Sequence, residues 1–332
     1  MAFVKLIGKI RRKVWGKVVS KVQHKSWSFI IYQSYWYSLF HKIPQQSNAK
    51  NYLASIPNPG AGIGHQMANW IAGYWFSTQF NLQFAHVPFT GNGWEEFLDF
   101  GNEEAKVKDL ISAGFQKVLL PAFDEYNPKH LSGIKKIISS YRDKQMVFIT
   151  EQDQGYKDQF GVMDVIKKKF FHSPFRKNDK LIFDASHFNI AVHIRRGDIN
   201  IGQQNGNSNL TSRWQNNDYY VNVLNNVLKG LSQNKTISIY LFSQGEVDDF
   251  ADFQQFASIN YCLDMSARQS FLHMVYADLL ITSKSSFSYK PALLSNGIKV
   301  CPKIFWHGYP IDNYWILAHE DGSLPTNALQ NL

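Results

Sequence analysis

The chain has 332 residues, of which 44% are hydrophobic and 15% aromatic, and its formal net charge at pH 7 is +9. This composition excludes a disordered chain, and the length suits two domains of roughly 150 residues each. Its two cysteines, Cys262 and Cys301, are too few for a disulfide framework and are typical of a reducing compartment such as the cytoplasm. No run of 18 apolar residues occurs, so the sequence predicts no membrane span.

The positive charge is concentrated at the N-terminus. Residues 1–50 contain ten Lys and Arg and no acidic residue, residues 51–94 contain neither sign, and the rest of the chain has 25 basic and 26 acidic residues. Because the body is close to neutral, we do not expect it to bind nucleic acid. A basic N-terminal arm is the one part that could do so.

The first 50 residues form a predicted segment of their own. Apolar residues recur there at helical spacing: Phe3, Ile7, Ile10, Val14, Val18 and Val22. Basic residues fill the other faces: Lys5, Lys9, Arg12, Lys13, Lys17 and Lys21. A basic amphipathic helix is typical of attachment to an anionic membrane surface, and the aromatic residues 27–40 suit the headgroup level. We therefore expect residues 1–40 to hold a cytoplasmic protein peripherally on the membrane, or else to dock on its own core.

A first α/β domain is predicted over residues 51–180, after a polar linker at 41–52. A Pro- and Gly-rich turn precedes a helix in which Met67, Ile71 and Trp75 share one face. The further predicted elements are strands at 81–87, 117–123 and 145–150 and a helix at 130–143. Alternating strands and helices favour a parallel sheet.

A second domain of the same kind is predicted over residues 181–332. Its predicted strands lie at 189–194, 236–243, 259–264, 278–283 and 298–302. Its predicted helices lie at 217–231, 246–256, 266–277 and 289–297. The chain is thus expected to consist of two Rossmann-like halves.

Two arginines and an aspartate follow the first strand of the second domain, in "HIRRGD" (193–198). In a parallel sheet, ligands gather at the carboxyl ends of the strands, so Arg195, Arg196 and Asp198 would lie at a ligand site. A guanidinium binds phosphate oxygens in a bidentate manner and keeps its charge. The motif therefore indicates an anionic ligand, although an exposed charged turn remains the alternative.

Two other segments indicate the same kind of chemistry. Four serines in "TSKSSFS" (282–288) follow a predicted strand and lead into a helix, where hydroxyls and backbone N–H groups bind anions or simply cap the helix. In the first domain, "NPGAGIGHQ" (58–66) is a glycine-rich loop before a helix. Its spacing differs from the dinucleotide fingerprint, and it favours either close approach of the backbone to a ligand or a tight turn.

These motifs together resemble those of the fucosyltransferase superfamily. "HIRRGD" is similar to its H-x-R-R-x-D motif, and residues 60–77 are similar to the glycine-rich first motif of the bacterial α1,2-fucosyltransferases, which belong to glycosyltransferase family 11. Residues 277–295 resemble the late serine motif of that branch, and residues 240–250 its strand-and-acid segment. The resemblance runs in the right order from residue 60 to 295 and excludes the first 50 residues.

The resemblance implies an α/β fold of GT-B type, with two facing Rossmann-like domains and parallel sheets. The second domain would bind GDP-fucose and the first would bind the acceptor, an oligosaccharide or lipid-linked glycan. The implied reaction is inverting transfer of fucose from GDP-β-L-fucose to a glycan hydroxyl, of α1,2 type, in polysaccharide or glycolipid synthesis. The implied donor-binding residues are His193, Arg195, Arg196, Asp198, Ser285, Ser286, Ser288, Gly62 and Gly64.

We expect Arg195 and His65 to be the catalytic residues. Fixed cations stabilise the charge that develops on a leaving diphosphate without a metal, and no D-x-D motif follows a strand, so neither a metal nor a cofactor is expected. His65 stands where the α1,2 branch has Asn, and it could act as a base or only as a hydrogen-bonding group. Alternatives that keep the fold are transfer from another nucleotide sugar, or nucleotide-sugar binding without catalysis.

Overall fold

The structure, a computed structural model, describes residues 51–329 apart from 58, 92, 140, 142–143, 152–155, 198–210, 232–235, 264 and 327. Among the first 50 residues it describes eight: Leu6, Ile7, Ile10, Lys13, Val14, Lys17, Val18 and Lys21. All eight are helical. The predicted aromatic segment at 27–40 and nearly all of the predicted linker at 41–52 lie outside the described residues.

The chain divides into two compact units, residues 1–162 and 163–332. This division comes before the predicted one at residue 180. The reason is the helix at residues 163–172, which packs against the helix at residues 286–294. A hydrogen bond from Lys167 Nζ to Asn296 Oδ1 (3.0 Å) adds to this packing.

The first unit contains a five-stranded sheet in the order β3-β2-β1-β5-β4. Its strands are β1 (Tyr52–Ser55), β2 (Gln83–His86), β3 (Ala105–Lys106), β4 (Gln116–Leu119) and β5 (Met146–Thr150). Its helices are α1 (Ile63–Gln79), α2 (Trp94–Leu98), α3 (Val107–Ser112) and α4 (Pro128–Ser139), followed by a 3-10 helix at Gln159–Val162. Every strand pairing is parallel, which confirms the predicted α/β class for this half.

Helix α1 is the central helix of the first unit and is mostly buried. It lies close to β1 at Gly73, where an added Cβ would stand 2.8 Å from Ser55 Cβ. Glycine is therefore required for this close approach of helix and strand. Trp70 on the same helix packs with Phe84 and Phe100, with ring centroids 4.9 and 5.0 Å away.

The second unit contains a six-stranded sheet in the order β11-β10-β9-β6-β7-β8. Its strands are β6 (Phe188–His193), β7 (Ile237–Phe242), β8 (Ile259–Cys262), β9 (Leu279–Ile281), β10 (Ile298–Pro302) and β11 (Trp315–Ala318). Its α-helices are α5 (Met163–His172), α6 (Asn217–Gly230), α7 (Ala267–Tyr276) and α8 (Ser286–Leu294), with 3-10 helices at Pro174–Asn178 and Val247–Gln255. All of its pairings are parallel too, so both halves have the predicted architecture.

The strand order places a topological switch point in each sheet. In the second sheet the chain runs from β6 outward through β7 to β8, and the later strands β9, β10 and β11 continue on the other side of β6. In the first sheet β1 lies between β2 and β5 in the same way. Ligands of open α/β sheets bind outside the carboxyl ends of the strands at such points. The topology therefore predicts that ligands bind at the loops after β6, β9 and β1.

Candidate anion-binding site

The two motif segments of the second unit meet at its switch point. Strands β6 and β9 are neighbours, with Ile190 opposite Leu279, so their carboxyl ends lie side by side. His193 ends β6, and Ser283 follows β9. His193 Nδ1 and Ser283 Oγ are 2.7 Å apart. The arginine motif and the serine motif therefore form one site, as the parallel-sheet rule predicts.

Arg195 is the half-buried arginine of this site. Its Nη1 donates a hydrogen bond of 2.8 Å to Ser285 Oγ. Ser285 is also the N-cap of α8, because its hydroxyl accepts from the backbone N–H of Phe287 (3.2 Å). A guanidinium thus lies directly at a helix N-terminus, where both the cation and the helix dipole favour an anion.

The first turn of α8 adds hydroxyl groups to the site. Ser286 Oγ is buried and, within the part of the chain that the structure describes, has no hydrogen-bond partner. A buried hydroxyl without a partner is costly, and a bound ligand can supply the missing bond. Ser288 is instead fully buried, and its Oγ accepts from the backbone N–H of Ser283 (3.2 Å). Ser288 therefore shapes the loop that carries the other serines.

Arg196 is held in a different way from Arg195. It is 5% exposed, its Nη2 donates to Asn217 Oδ1 (2.8 Å), and its Nη1 donates to the Arg195 carbonyl (3.0 Å). Its guanidinium lies 4.0 Å from the centroid of the Trp214 ring, a cation–π distance. Other groups of the protein thus contact most of the Arg196 guanidinium. These contacts fix the backbone between the two arginines.

Gly197 makes the turn after the arginines possible. Its φ is +63°, in the left-handed region that favours glycine, and an added Cβ would collide with the Gln244 side chain. Asp198, the last residue of the predicted motif, lies outside the described residues.

His193 is neutral in the folded protein. Burial, and then the positive charges of Arg195 and Arg196, lower the pKa of His193 from 6.5 to about 3. Both effects oppose protonation, since burial disfavours any charge and the arginines repel a positive one. At neutral pH His193 is therefore a hydrogen-bonding group of the site and not an additional cation.

Sequence reasoning missed several residues that organise this site. Gln215 Oε1 accepts from the backbone N–H of Lys284 (3.1 Å) and fastens the loop after β9. Asn217 and Trp214 hold Arg196, as described above. A loop before α6 was recognisable in the sequence, but no motif or spacing marks these three side chains as partners of residues about 20 to 70 positions away.

The other predicted site residues belong to the first unit. Gly62 is the exposed N-cap of α1, and Gly64 is buried in its first turn. His65 is half-buried in the same turn, and its backbone N–H donates to the Gly62 carbonyl (3.0 Å). All three lie where the chain leaves the carboxyl end of β1, beside the switch point of the first sheet.

Two further findings concern metals and membranes. Among the residues that the structure describes, no group of three or more His, Cys, Asp or Glu could hold a metal ion. In the same residues, no helix has both the length and the apolar character that crossing a membrane requires.

No protein-family model and no curated protein sequence matches the chain. Among solved structures, a fucosyltransferase NodZ from Bradyrhizobium is similar with a TM-score of 0.42 and 11% identity, over 75% of this chain and 94% of that one. POFUT1 in complex with GDP is similar with a TM-score of 0.47 and 10% identity, over 78% of this chain and all of that one. Similarity at this level carries no argument about activity, which has to come from the site.

Proposed function

We propose that this protein is an inverting glycosyltransferase that transfers fucose from GDP-β-L-fucose to a hydroxyl of an acceptor glycan. The observation that carries the proposal is the hydrogen bond between Arg195 and Ser285, the N-cap of α8, at the switch point of the second sheet. A fixed cation, a helix N-terminus and the hydroxyl of Ser286 suit a diphosphate. The motifs in which these residues occur are those that resemble the fucosyltransferases.

In the proposed reaction an acceptor hydroxyl oxygen bonds to the anomeric carbon of fucose from the face opposite GDP. The bond from that carbon to the β-phosphate oxygen breaks, and GDP leaves with the electron pair. Arg195 and the N-terminus of α8 stabilise the negative charge that develops on the diphosphate. The proton of the acceptor hydroxyl passes to a base, for which His65 is our candidate because an imidazole titrates near neutral pH.

Arg196, His193, Asp198, Ser288 and the glycines have supporting parts in this proposal. Arg196 and His193 stabilise the conformation of the chain at the carboxyl end of β6. Ser288 stabilises the loop between β9 and α8 that carries the other serines. Asp198, Gly62 and Gly64 remain proposed donor-site residues on the strength of the motif resemblance. The α1,2 linkage and a role in polysaccharide or glycolipid synthesis are proposed on the same basis.

Calorimetric titration with GDP, GDP-fucose and UDP, each with and without EDTA, tests the donor assignment. We expect GDP and GDP-fucose to bind, UDP to bind much more weakly, and EDTA to change nothing. Binding of UDP in preference to GDP would keep a nucleotide-sugar site and favour another donor. Binding without any transfer to glycans would favour a nucleotide-sugar-binding module. No binding of any nucleotide would reduce the arginine motif to a charged turn.

We also propose that the N-terminal segment attaches the protein to the anionic cytoplasmic face of the membrane. Leu6 and Ile10 are each 54% exposed and Val14 is 43% exposed, one helical turn apart from each other. Lys13, Lys17 and Lys21 are exposed at the same spacing. Exposed apolar and basic positions at these intervals are what an interfacial helix presents to anionic lipid.

Sedimentation with vesicles containing phosphatidylserine tests this attachment. Replacing Leu6, Ile10 and Val14 together with Ser should release the protein while leaving its affinity for GDP unchanged. Vesicle binding that survives the triple substitution would refute an apolar anchor. Stronger binding to duplex DNA than to vesicles at the same salt concentration would favour a nucleic-acid arm instead.

A further inference from the structure

Two loops at the carboxyl edge of the first sheet are fastened together by one side chain. They are the glycine-rich loop between β1 and α1, and the loop at residues 87–93 between β2 and α2. Gln66, which is 5% exposed, accepts at Oε1 from the backbone N–H of Thr90 (2.8 Å). Its Nε2 donates to the carbonyls of Ala61 (2.9 Å) and Thr90 (3.3 Å). Both polar atoms of a buried amide are thus used to join the loops.

A carboxylate holds the same loop from its other side. Glu95 Oε2 accepts from the backbone N–H of Phe89 (2.8 Å), and Glu95 Oε1 lies 2.8 Å from His86 Nε2. The Trp70 indole N–H, which can only donate, contacts His86 Nδ1 (3.0 Å). His86 must therefore accept at Nδ1 and donate from Nε2 to Glu95. The chain Trp70–His86–Glu95–Phe89 has a donor and an acceptor in every contact.

The electrostatics of Glu95 agree with this arrangement. Burial by itself would raise the pKa of the Glu95 carboxyl, but the hydrogen bond and electrostatic attraction of His86, the hydrogen bond from Phe89 and the charge of Lys106 together outweigh it, and the pKa lies below its usual value. The carboxylate is therefore charged and fully engaged at neutral pH. Both of its oxygens have partners within the protein, His86 and the backbone N–H of Phe89.

The surface that these bonds fix carries no formal charge of its own. Residues 51–94 contain no Lys, Arg, Asp or Glu. At Gly60, Gly62 and Gly91 an added Cβ would meet nothing within 4 Å, so the backbone of both loops is open there. Open glycine backbone in loops without charged side chains suits a neutral ligand rich in hydroxyl groups.

We propose that Gln66 and Glu95 are positioning residues that hold the loop at 87–93 as part of the binding surface for an uncharged saccharide acceptor. This rests on the proposed function and assigns to the two residues a part in acceptor binding alone. Neither residue touches the acceptor in this proposal. They act through the backbone of Phe89 and Thr90.

Amide hydrogen exchange of the full-length protein tests the fastening itself. Gln66→Leu should accelerate exchange of the Thr90 amide, and Glu95→Gln should accelerate that of Phe89, because an amide has only one acceptor oxygen for two donors. The matched controls are Gln79→Leu, at the exposed end of the same helix, and Glu96→Gln, at the exposed neighbouring position. Neither control should change exchange at either amide.

Steady-state kinetics test the role in acceptor binding, with lactose and N-acetyllactosamine as acceptor probes. Gln66→Leu and Glu95→Gln should raise the acceptor KM about tenfold, the effect of losing one buried hydrogen bond. The Kd for GDP, measured by calorimetry, should stay within about twofold of that of the unaltered protein, since the groups proposed to bind the diphosphate, Arg195 and Ser286, belong to the second unit. A general loss of stability would change both constants.

Three results would overturn the proposal: unaltered exchange of Phe89 and Thr90, an unaltered acceptor KM in variants whose exchange is accelerated, or a parallel rise of the GDP Kd. Should either variant fail to fold, the other provides the same pair of measurements. The proposed donor fails separately, when the unaltered protein binds no GDP or GDP-fucose. In that case protection of residues 87–93 by lactose supports the saccharide surface, and absence of protection refutes it.

Discussion

The carboxyl edges of the two sheets have similar topology and different electrostatics. In the second unit, Arg195 and Arg196 follow the central strand, and a helix N-terminus lies against Arg195. In the first unit, the loops after the central strands carry no formal charge over residues 51–94 and are joined by Gln66. The same α/β frame can thus support one edge suited to an anion and another suited to a neutral ligand. In such a fold the topology determines where ligands bind, and the residues of the loops determine which ligands bind there.

The two edges also differ in how their polar groups are satisfied. At the second, the hydroxyl of Ser286 is buried without a partner among the described residues, and Arg195 remains half exposed. At the first, Gln66 and Glu95 use their oxygens on backbone N–H groups of one loop. A polar group that lacks a protein partner is available to a ligand, whereas one that is engaged shapes the surface. This difference separates residues that contact ligands from residues that position loops.

The largest effect should follow removal of Arg195, the half-buried cation at the carboxyl edge of the second sheet, called the charged edge below. Arg195→Ala should lower fucose transfer by about 10²–10³-fold, as expected for the loss of one preorganised group that stabilises developing charge. The affinity for GDP should fall as well, while the urea midpoint stays close to that of the unaltered protein. Radiolabel transfer from GDP-fucose, calorimetry and urea unfolding measure the three quantities.

The control for this experiment is Arg268→Ala, which removes an exposed arginine of α7. It should leave transfer unchanged. Arg196→Ala provides the contrast within the motif, because Arg196 is buried against Trp214 and Asn217 and its loss should lower the free energy of unfolding by about 1–3 kcal/mol. Full transfer activity of the Arg195 variant would contradict the assignment of the donor site.

Much of the secondary structure could be predicted from the sequence. Strands β6 and β10 and helices α6 and α7 lie within a residue or two of their predicted bounds, because each is a clear apolar run or a clear helical period. The central strand β1 was missed, since Tyr52–Ser55 is only four residues long and its first residue, Tyr52, fell in the predicted linker. Strands β3 and β11 and helices α2, α3 and α5 were missed as well.

One predicted helix has a different form. Residues 246–256 were expected to be α-helical, but Val247–Gln255 form a 3-10 helix with a non-helical Phe250 (φ −123°, ψ 27°). The Asp249 carboxylate accepts from the Glu246 backbone N–H (2.9 Å) in a capping box, which marks the start of either kind of helix. Helical spacing of apolar residues does not distinguish the two kinds.

The site was predictable to the extent that it depends on the parallel sheet. The meeting of Arg195 with Ser285 follows from two strand ends lying at one edge, which the strand pattern already indicated. The contact of Arg196 with Trp214 did not follow, because it depends on the path of a loop that has no periodicity. The fastening of residues 87–93 by Gln66 and Glu95 was missed for the same reason.

The neutral edge provides a sharper test of the proposed base. His65→Asn places the residue that the resembling α1,2 branch has at this position. If the imidazole removes the acceptor proton, kcat should fall by about 10²-fold or more, and the acidic limb of the pH–rate profile should disappear. GDP affinity should be unaffected. Retention of kcat by His65→Asn would assign a hydrogen-bonding role to the residue and would exclude it as the base.

The smallest effect concerns the buried histidine of the charged edge. Because the folded-state pKa of His193 is about 3 and the unfolded value is near 6.5, the unfolded chain binds one more proton below pH 6.5. The lowered pKa of His193 therefore has almost no effect on the free energy of unfolding at pH 7.5. It lowers this free energy progressively as the pH falls through 6.5. His193→Gln removes the titration and keeps a hydrogen-bonding group. The stability of the unaltered protein relative to His193→Gln should consequently drop by about 1 kcal/mol between pH 7.5 and 5.5, measured by urea unfolding. An unchanged difference would mean that His193 titrates alike in the folded and unfolded states, and a rise in relative stability at pH 5.5 would mean that it is already protonated in the folded state, as a third cation beside Arg195 and Arg196.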